Sequence, residues 1–286
     1  MLLTLNVNNT NTVIALYPMT DGKPGELRIT WRISTRHAQT ADEYGILIRN
    51  LLQGEGVQND EISGIIIASV VPPIDWILRK FCERYFKPKP IFIEPGVKTG
   101  LPILTDNPSE VGADRVANCV GAFEKYGGPC IVVDFGTATN FDVISRKGEF
   151  LGGAISPGLN VSAEALFARA ARLPRVEIKR PAKVIGTNTV DNLQIGLFYG
   201  HIGLVDSILE RMIGELGDDT ICVATGGLAH LIADESKYIK HVNDTLTLEG
   251  LRIIYERNYE RNQERHQGRK RSHGPSGSNA PAHSDS

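Results

Sequence analysis

The sequence predicts an α/β protein of two similar halves with a cleft between them, and three observations predict it. Strand and helix patterns alternate along most of the 286 residues. An order that opens with three strands occurs twice, and in each copy a polar turn follows the first strand.

In the first copy, residues 2–7 and 12–17 are short β-rich runs on either side of a polar turn, and 27–33 alternates as a third strand does. A helical pattern covers 40–52, an apolar run follows at 65–71, a helix begins near Pro73, and 91–93 is a short strand. After a helix over 109–126, the second copy opens with strands at 130–134, 140–145 and 149–155 and continues into a helix over 159–171. A long helix spans 189–214, a strand at 220–225 precedes a Gly-Gly turn, and a helix closes over 248–258. This is the order of an ATPase fold built from two ribonuclease-H-like halves, the acetate and sugar kinase, heat-shock chaperone and actin (ASKHA) type, with the active site in the interdomain cleft. The expected units are 1–117, 118–258 and a polar tail over 259–286, which has too few aliphatic residues to order itself.

The 41% apolar residues suffice for the cores of two domains. With 31 basic and 33 acidic residues the formal charge is −2, so nothing draws the chain to nucleic acid or to a membrane, and a small-molecule substrate fits better. No segment reaches the ~20 apolar residues of a membrane span, and the start lacks a secretory pattern, so a cytoplasmic location is expected. The basic cluster Arg269, Lys270 and Arg271 reads as part of a solvated tail. Cys82, Cys119, Cys130 and Cys222 lie in hydrophobic stretches without CxxC spacing and are expected as reduced core thiols.

Three polar turns carry the candidate chemistry. The first, Asn6-Val7-Asn8-Asn9-Thr10-Asn11-Thr12, lies between two strands and can aim several N–H groups and hydroxyls at a phosphate chain; Asn-rich turns also often satisfy only themselves. In VVDFGTATNFDV, Asp134 ends a strand, Gly136 permits close approach, and Thr137 and Thr139 add hydroxyls. A carboxylate there can hold a cation near phosphates, or simply close a hairpin. In Val111-Gly112-Ala113-Asp114-Arg115, read as lying inside a helix, acid and base point about 100° apart and each is free for a ligand. Asp114 can accept a proton and Arg115 can pair with a carboxylate; an ordinary surface pair is the bland alternative.

In this order, SVVPP, DNPSEVGADR, VVDFGTATNFDV, LGGAISPGL, EALFARAARLP, IGTNTV, GLFYGHIGLVD, ATGGLA and LTLEGLRIIYERN resemble the type III pantothenate kinase family from the N-terminus to about residue 258. The resemblance implies ATP-dependent phosphorylation of pantothenate to 4′-phosphopantothenate, the first step of coenzyme A synthesis, by a homodimer that uses ATP with Mg²⁺ and a potassium or ammonium ion. It implies that Asp114 is the proton acceptor, that Gly112, Ala113, Asp114, Arg115 and Thr189 contact pantothenate, and that Asp134 holds the monovalent cation. Asn6, Val7, Asn8, Asn9, Thr10, Asn11, Thr12 and Val13 match the nucleotide-phosphate turn, with Thr137 a further contact to ATP. The apolar faces around 196–209 are candidates for the dimer contact.

The chain departs from the family pattern at Asn6, where Asp is usual, and at Asn8, where Gly is usual; Thr105 and Asn140 replace a common Tyr and Thr. A neutral amide at position 6 holds a magnesium water shell less well than a carboxylate. Asn8 is expected to keep the turn by taking φ > 0 while its side chain narrows the phosphate approach. Two functions follow: a working kinase, or a catalytically impaired nucleotide- or pantothenate-binding relative with a regulatory role.

Overall fold

The computed structural model describes residues 1–170 and 172–272. In chain order the first half contains β1 (Leu2–Val7), β2 (Asn11–Tyr17), β3 (Met19–Thr20), β4 (Lys23–Pro24), β5 (Ile29–Ser34), α1 (Ala41–Gly54), β6 (Gly64–Ser69), α2 (Pro72–Tyr85) and β7 (Ile91–Phe92). The helix α3 (Ala113–Tyr126) leads to β8 (Cys130–Phe135), β9 (Ala138–Ile144), β10 (Phe150–Pro157), α4 (Leu159–Arg169), α5 (Thr189–Leu216), β11 (Ile221–Gly226), α6 (Ala229–Ala233), β12 (His241–Val242) and α7 (Leu246–Ser272). The small β3–β4 hairpin and β12, two residues each and without an apolar run to mark them, are not read as strands from the sequence. The closing helix runs on through 272, past the expected start of the polar tail at 259; residues 273–286 of that tail lie outside the described residues.

Two five-stranded sheets repeat one topology, β5-β2-β1-β6-β7 and β10-β9-β8-β11-β12. In each, the first strand pairs antiparallel with the second and parallel with the fourth of its sheet order. The central strands are buried on both faces, which is why LLTLNV and CIVVDF read as nearly continuous apolar runs. Alternation sends Leu3, Leu5 and Val7 into a core with α1 and α2, and Leu2 into a second core with α3 and α7. On the other sheet Cys130 and Val132 enter that same α3–α7 core, while Ile131, Val133 and Phe135 pack with α4, α5 and α6. The layers therefore run helix, sheet, helix, sheet, helix, and α3 and α7 fill the middle. The expected unit boundary at 117/118 falls inside α3, whose side chains pack toward both sheets.

Glycine sets how closely the middle helices cross. A Cβ at Gly250 would lie 1.8 Å from the Ala117 carbonyl oxygen, and one at Gly121 would lie 2.7 Å from that of Leu246. The N-terminal turn of α7 is thereby pressed against α3 at the mouth of the site. All four cysteines are free and buried, as their apolar surroundings suggested, and burial raises their thiol pKa values. Among the described residues no helix is long and apolar enough to cross a membrane.

Candidate active site

The first turn begins at Asn6, which pairs with Val13 on β2 and Ala68 on β6 and shares its strand face with Leu2 and Thr4. Asn6 is buried, and its Oδ1 has no hydrogen-bond partner among the described residues. The turn closes where Asn8 N–H donates to the Asn11 carbonyl at 3.0 Å, and Thr35 N–H donates to that of Thr10 at 3.0 Å. Asn9 and Thr10 are exposed and Asn8 and Asn11 half-buried, whereas Val7 sits in the core and Thr12 is buried with its hydroxyl 2.9 Å from that of Thr35. Asn8 does not take the expected positive φ: among the described non-glycine residues only Asp21 does. A turn closed by the Asn8 and Thr35 amides needs no left-handed residue at position 8.

The second turn begins at Asp134, paired with Asn140 on β9 and Thr225 on β11. Its Oδ2 accepts a hydrogen bond from Asn118 Nδ2 at 3.0 Å, and Asn118 Oδ1 accepts one from the Thr247 hydroxyl at 2.6 Å. Thr247 on α7 thus fixes which way the Asn118 amide faces. Gly226, at φ +92°, lies beside the other oxygen, and a Cβ there would come within 2.6 Å of Asp134 Oδ1. The absent side chain leaves that oxygen open. Burial, and then the neighbouring Asp114 carboxylate, push Asp134 up to about 6, against the hydrogen bond from Asn118. Thr137 is exposed at the tip, and its carbonyl accepts from Gly158 N–H at 3.1 Å. Thr139 is not a turn hydroxyl as expected: it lies on β9, buried, with Oγ1 3.2 Å from His201 Nε2 on α5.

The third segment stands at the start of a helix, not inside one. A short 3-10 turn, Pro108–Glu110, ends in extended backbone at Val111, so Gly112 is the N-cap and Ala113, Asp114 and Arg115 are the first residues of α3. Asp114 Oδ1 accepts the Arg115 backbone N–H at 2.8 Å, and the positive end of the helix favours its charge, yet burial dominates and raises its pKa. A Cβ on Gly112 would lie 3.4 Å from Val70 Cγ1, and Val70 N–H donates to the Val7 carbonyl at 3.0 Å. The start of α3 is therefore beside the end of β1.

Arg115 is not free for a ligand in the sense expected from sequence. Its Nε lies 2.8 Å, and its Nη2 2.6 Å, from Oδ1 of Asp142 on β9, with the side chains 16% and 0% exposed. Removing one partner of a buried ion pair costs about 3–5 kcal/mol. Asp142 is pushed up to about 6, chiefly by burial, with Arg115 opposing the rise. The Arg115 guanidinium also stands 5.4 Å from the centre of the Phe150 ring. Sequence reasoning missed Asp142, although a carboxylate between Phe141 and Val143 in an apolar strand was a signal that a buried cation must face it. Asn118, Thr247 and Gly226 carried no comparable signal.

The structure brings Asp114, Arg115 and Asp134 together, adds Asp142, and sets Asn6 on the face directed at the same middle helices. It does not bring Thr189 to them: Thr189 is the exposed first residue of α5, and no described contact joins it to the cluster. Among the described residues no three His, Cys, Asp or Glu side chains form a group able to hold a metal. The open Oδ1 of Asp134, in the space left by Gly226, suits a single monovalent cation.

Residues 2–211 match the family model described as type III pantothenate kinase. A protein of that name from Acidobacterium capsulatum is 76% identical over 90% of this chain and 94% of its own length. Another, from Koribacter versatilis, is 60% identical over 96% of this chain and 100% of its own. Among solved structures, a conserved putative Baf family transcriptional activator from Campylobacter jejuni aligns with a TM-score of 0.55 at 19% identity, covering 90% of this chain and 99% of that one. The activator of 2-hydroxyisocaproyl-CoA dehydratase from Clostridium difficile, with bound ADPNP, aligns with a TM-score of 0.52 at 12% identity, covering 93% and 97%. At such identities the structural likeness is one of fold, and the fold is the two-halved ASKHA type expected from the strand order.

Proposed function

The chain belongs to the type III pantothenate kinase family, and from that membership we propose that Asp114 accepts the proton of the pantothenate hydroxyl while Arg115 holds the pantothenate carboxylate. The reaction is the family's: ATP-dependent phosphorylation of pantothenate in coenzyme A biosynthesis. The relatives support this reading and not that of a regulatory relative. The pantothenate oxygen attacks the γ-phosphorus of ATP in line, the bond to the β–γ bridging oxygen breaks, ADP leaves, and the hydroxyl proton passes to Asp114.

The observation that carries the assignment is the division of labour between neighbours. The side chain of Arg115 is paired with Asp142, so the Asp114 carboxylate is not spent on an ion pair and its raised pKa makes it a stronger base. Asn8, Asn9, Thr10, Asn11 and Thr137 surround the ATP phosphates, with Asn6 and Val13 at the strand ends, while Val7 and Thr12, buried and paired across the hairpin, support the turn from behind; Gly112 and Ala113 line the pantothenate side. Asp134 holds a potassium or ammonium ion, which when bound supplies positive charge against the phosphates.

A homodimer is part of this reading. The face around 196–209 is largely spent internally, since Phe198, Ile202, Val205 and Leu209 are core residues. Exposed apolar side chains instead gather along Val184, Ile185 and Val190, with Ile185 83% exposed. Thr189 lies within that segment, so a second copy covering it would take Thr189 into an interface. Sedimentation velocity checks the mass.

Pantothenate-dependent ADP release, measured with ATP, Mg²⁺ and potassium, tests the assignment. Asp114→Asn should lower turnover by ~10²–10⁴ while nucleotide binding persists. Turnover equal to that of the native chain would place the base elsewhere.

A further inference from the structure

Asp142 is the one fully buried carboxylate of the cluster, and neither the sequence motifs nor the assignment above gives it a part in binding pantothenate. It meets Arg115 in a particular way. One oxygen, Oδ1, accepts from both Nε and Nη2, which are the two nitrogens along the side edge of the guanidinium. The end edge, formed by Nη1 and the second hydrogen of Nη2, is left to other groups. A guanidinium has two such forks, and a carboxylate ligand can take the end one while the side one is already held. The second oxygen of Asp142 has no partner among the described residues, so the carboxylate is not shared with another donor.

The surroundings show what the contact prevents. Asp114 lies one residue away, near enough for the Arg115 charge to act on it, and Asp114 and Asp142 both act on Asp134. Asp114 and Asp142 are thus the two carboxylates within reach of the Arg115 charge. With the side edge held by a carboxylate that is 0% exposed, and with the Phe150 ring 5.4 Å away, the guanidinium cannot swing onto the base. We propose that Asp142 is a positioning residue that fixes Arg115 by its side edge, presenting the end edge to the acceptor's carboxylate and keeping the guanidinium off Asp114. The proposal rests on the assignment of Arg115 to that carboxylate.

The test compares two ligands on the full-length protein: pantothenate, and its alcohol analogue in which the carboxylate is replaced by hydroxymethyl, used as a competitor. In the native chain pantothenate should bind at least ten-fold tighter than the alcohol. If it does not, the reading of Arg115 fails, independently of Asp142. Given that preference, Asp142→Asn should raise the KM for pantothenate about ten-fold or more and leave the inhibition constant of the alcohol within about two-fold, abolishing the discrimination. Arg115→Lys should lose it as well, and the double variant should lose no more than either single one, because both act through one contact. A merely structural role for Asp142 would weaken both ligands alike, and that result, or unchanged discrimination, overturns the proposal. Should Asp142→Asn fail to fold, the native protein decides. The Arg115 Nε–H signal, assigned by its loss in Arg115→Lys, should exchange slowly and persist when pantothenate is added; exchange as fast as that of surface arginines, or loss of protection on binding, overturns the proposal.

Discussion

The two polar turns occupy equivalent places in the two sheets and carry different charge. Asn6 and Asp134 are each the fifth residue of the first strand of their sheet, and each lies between an antiparallel and a parallel neighbour, Val13 and Ala68 in one case, Asn140 and Thr225 in the other. Strand alternation points both toward α3 and α7. Around Asp134 the chain supplies a donor fixed by a second residue, Asn118 held by Thr247, and an opening at Gly226. Around Asn6 it supplies no partner for Oδ1. Topology places two side chains on the faces turned to the same middle helices, and composition decides which is an anion. A buried carboxylate is costly, and the second turn offsets that cost with an amide and space for a cation, whereas the first avoids it by being neutral.

The strongest way to break the comparison is to make the second turn like the first. Asp134→Asn should lower turnover by ~10²–10³, as loss of a preorganised charge does, and should remove the response to potassium or ammonium; a retained cation response would show that the ion sits elsewhere. The same variant should be more stable than the native chain at pH 7. Asp134 is raised to about 6 in the folded protein, against about 3.9 unfolded, so the native state binds more protons between pH 4 and 6. Stability contributed by this group is therefore present below its unfolded pKa and falls as pH rises through that window, by up to about 3 kcal/mol. Thermal melting at pH 4.5 and pH 7 checks the sign, since the gain from Asp134→Asn should be larger at pH 7. Cation activation should run oppositely and fade below about pH 6, as Asp134 takes up its proton.

Making the first turn like the second has a smaller effect. Asn6→Asp adds a carboxylate where a magnesium-bound nucleotide would approach, and should raise turnover about ten-fold, the equivalent of ~1.4 kcal/mol of transition-state stabilisation. It should also lower the melting temperature without ligand, because no residue at position 6 plays the part that Asn118 plays at position 134, and an unpartnered buried group costs ~1–3 kcal/mol. Saturating ATP with Mg²⁺ should recover part of that loss. Unchanged turnover together with a lower melting temperature would mean that nucleotide is positioned by the turn backbone alone.

The sheets were legible in the sequence because their central strands are apolar runs between polar turns, and the repeat was legible because it opens the same way twice. The sites at strand ends followed from that order. What stayed hidden was pairing across the fold. Asp142 is separated from Arg115 by 27 positions, and Asn118 from Thr247 by 129, and no local pattern marks such partners. The start of α3 was misplaced for a different reason: Ser109 and Glu110 favour a helical turn, but Pro108 and the extended Val111 confine it to one short 3-10 turn. That shift moved Asp114 and Arg115 from a helix interior to its N-terminus, which changes their hydrogen bonding and their chemistry.

The smallest expected effect concerns position 8, where the second turn has Gly136 and the first has Asn8. If Asn8 stood in a left-handed conformation, glycine would relieve strain and stabilise the protein. It does not, so Asn8→Gly should instead cost ~0.4–1 kcal/mol, by giving the unfolded chain more freedom to lose. Asn8 N–H already donates to Asn11 at 3.0 Å, a bond glycine keeps, so the turn should persist. Removal of the side chain from the mouth of the turn should lower the ATP concentration for half-saturation about two- to three-fold with turnover unchanged, since it opens the approach without adding charge. Steady-state kinetics with ATP as the varied substrate, beside a melting curve, separate the two effects. A higher half-saturation would show that the Asn8 amide itself holds the phosphates, and the two turns would then differ in how they grip the nucleotide as well as in charge.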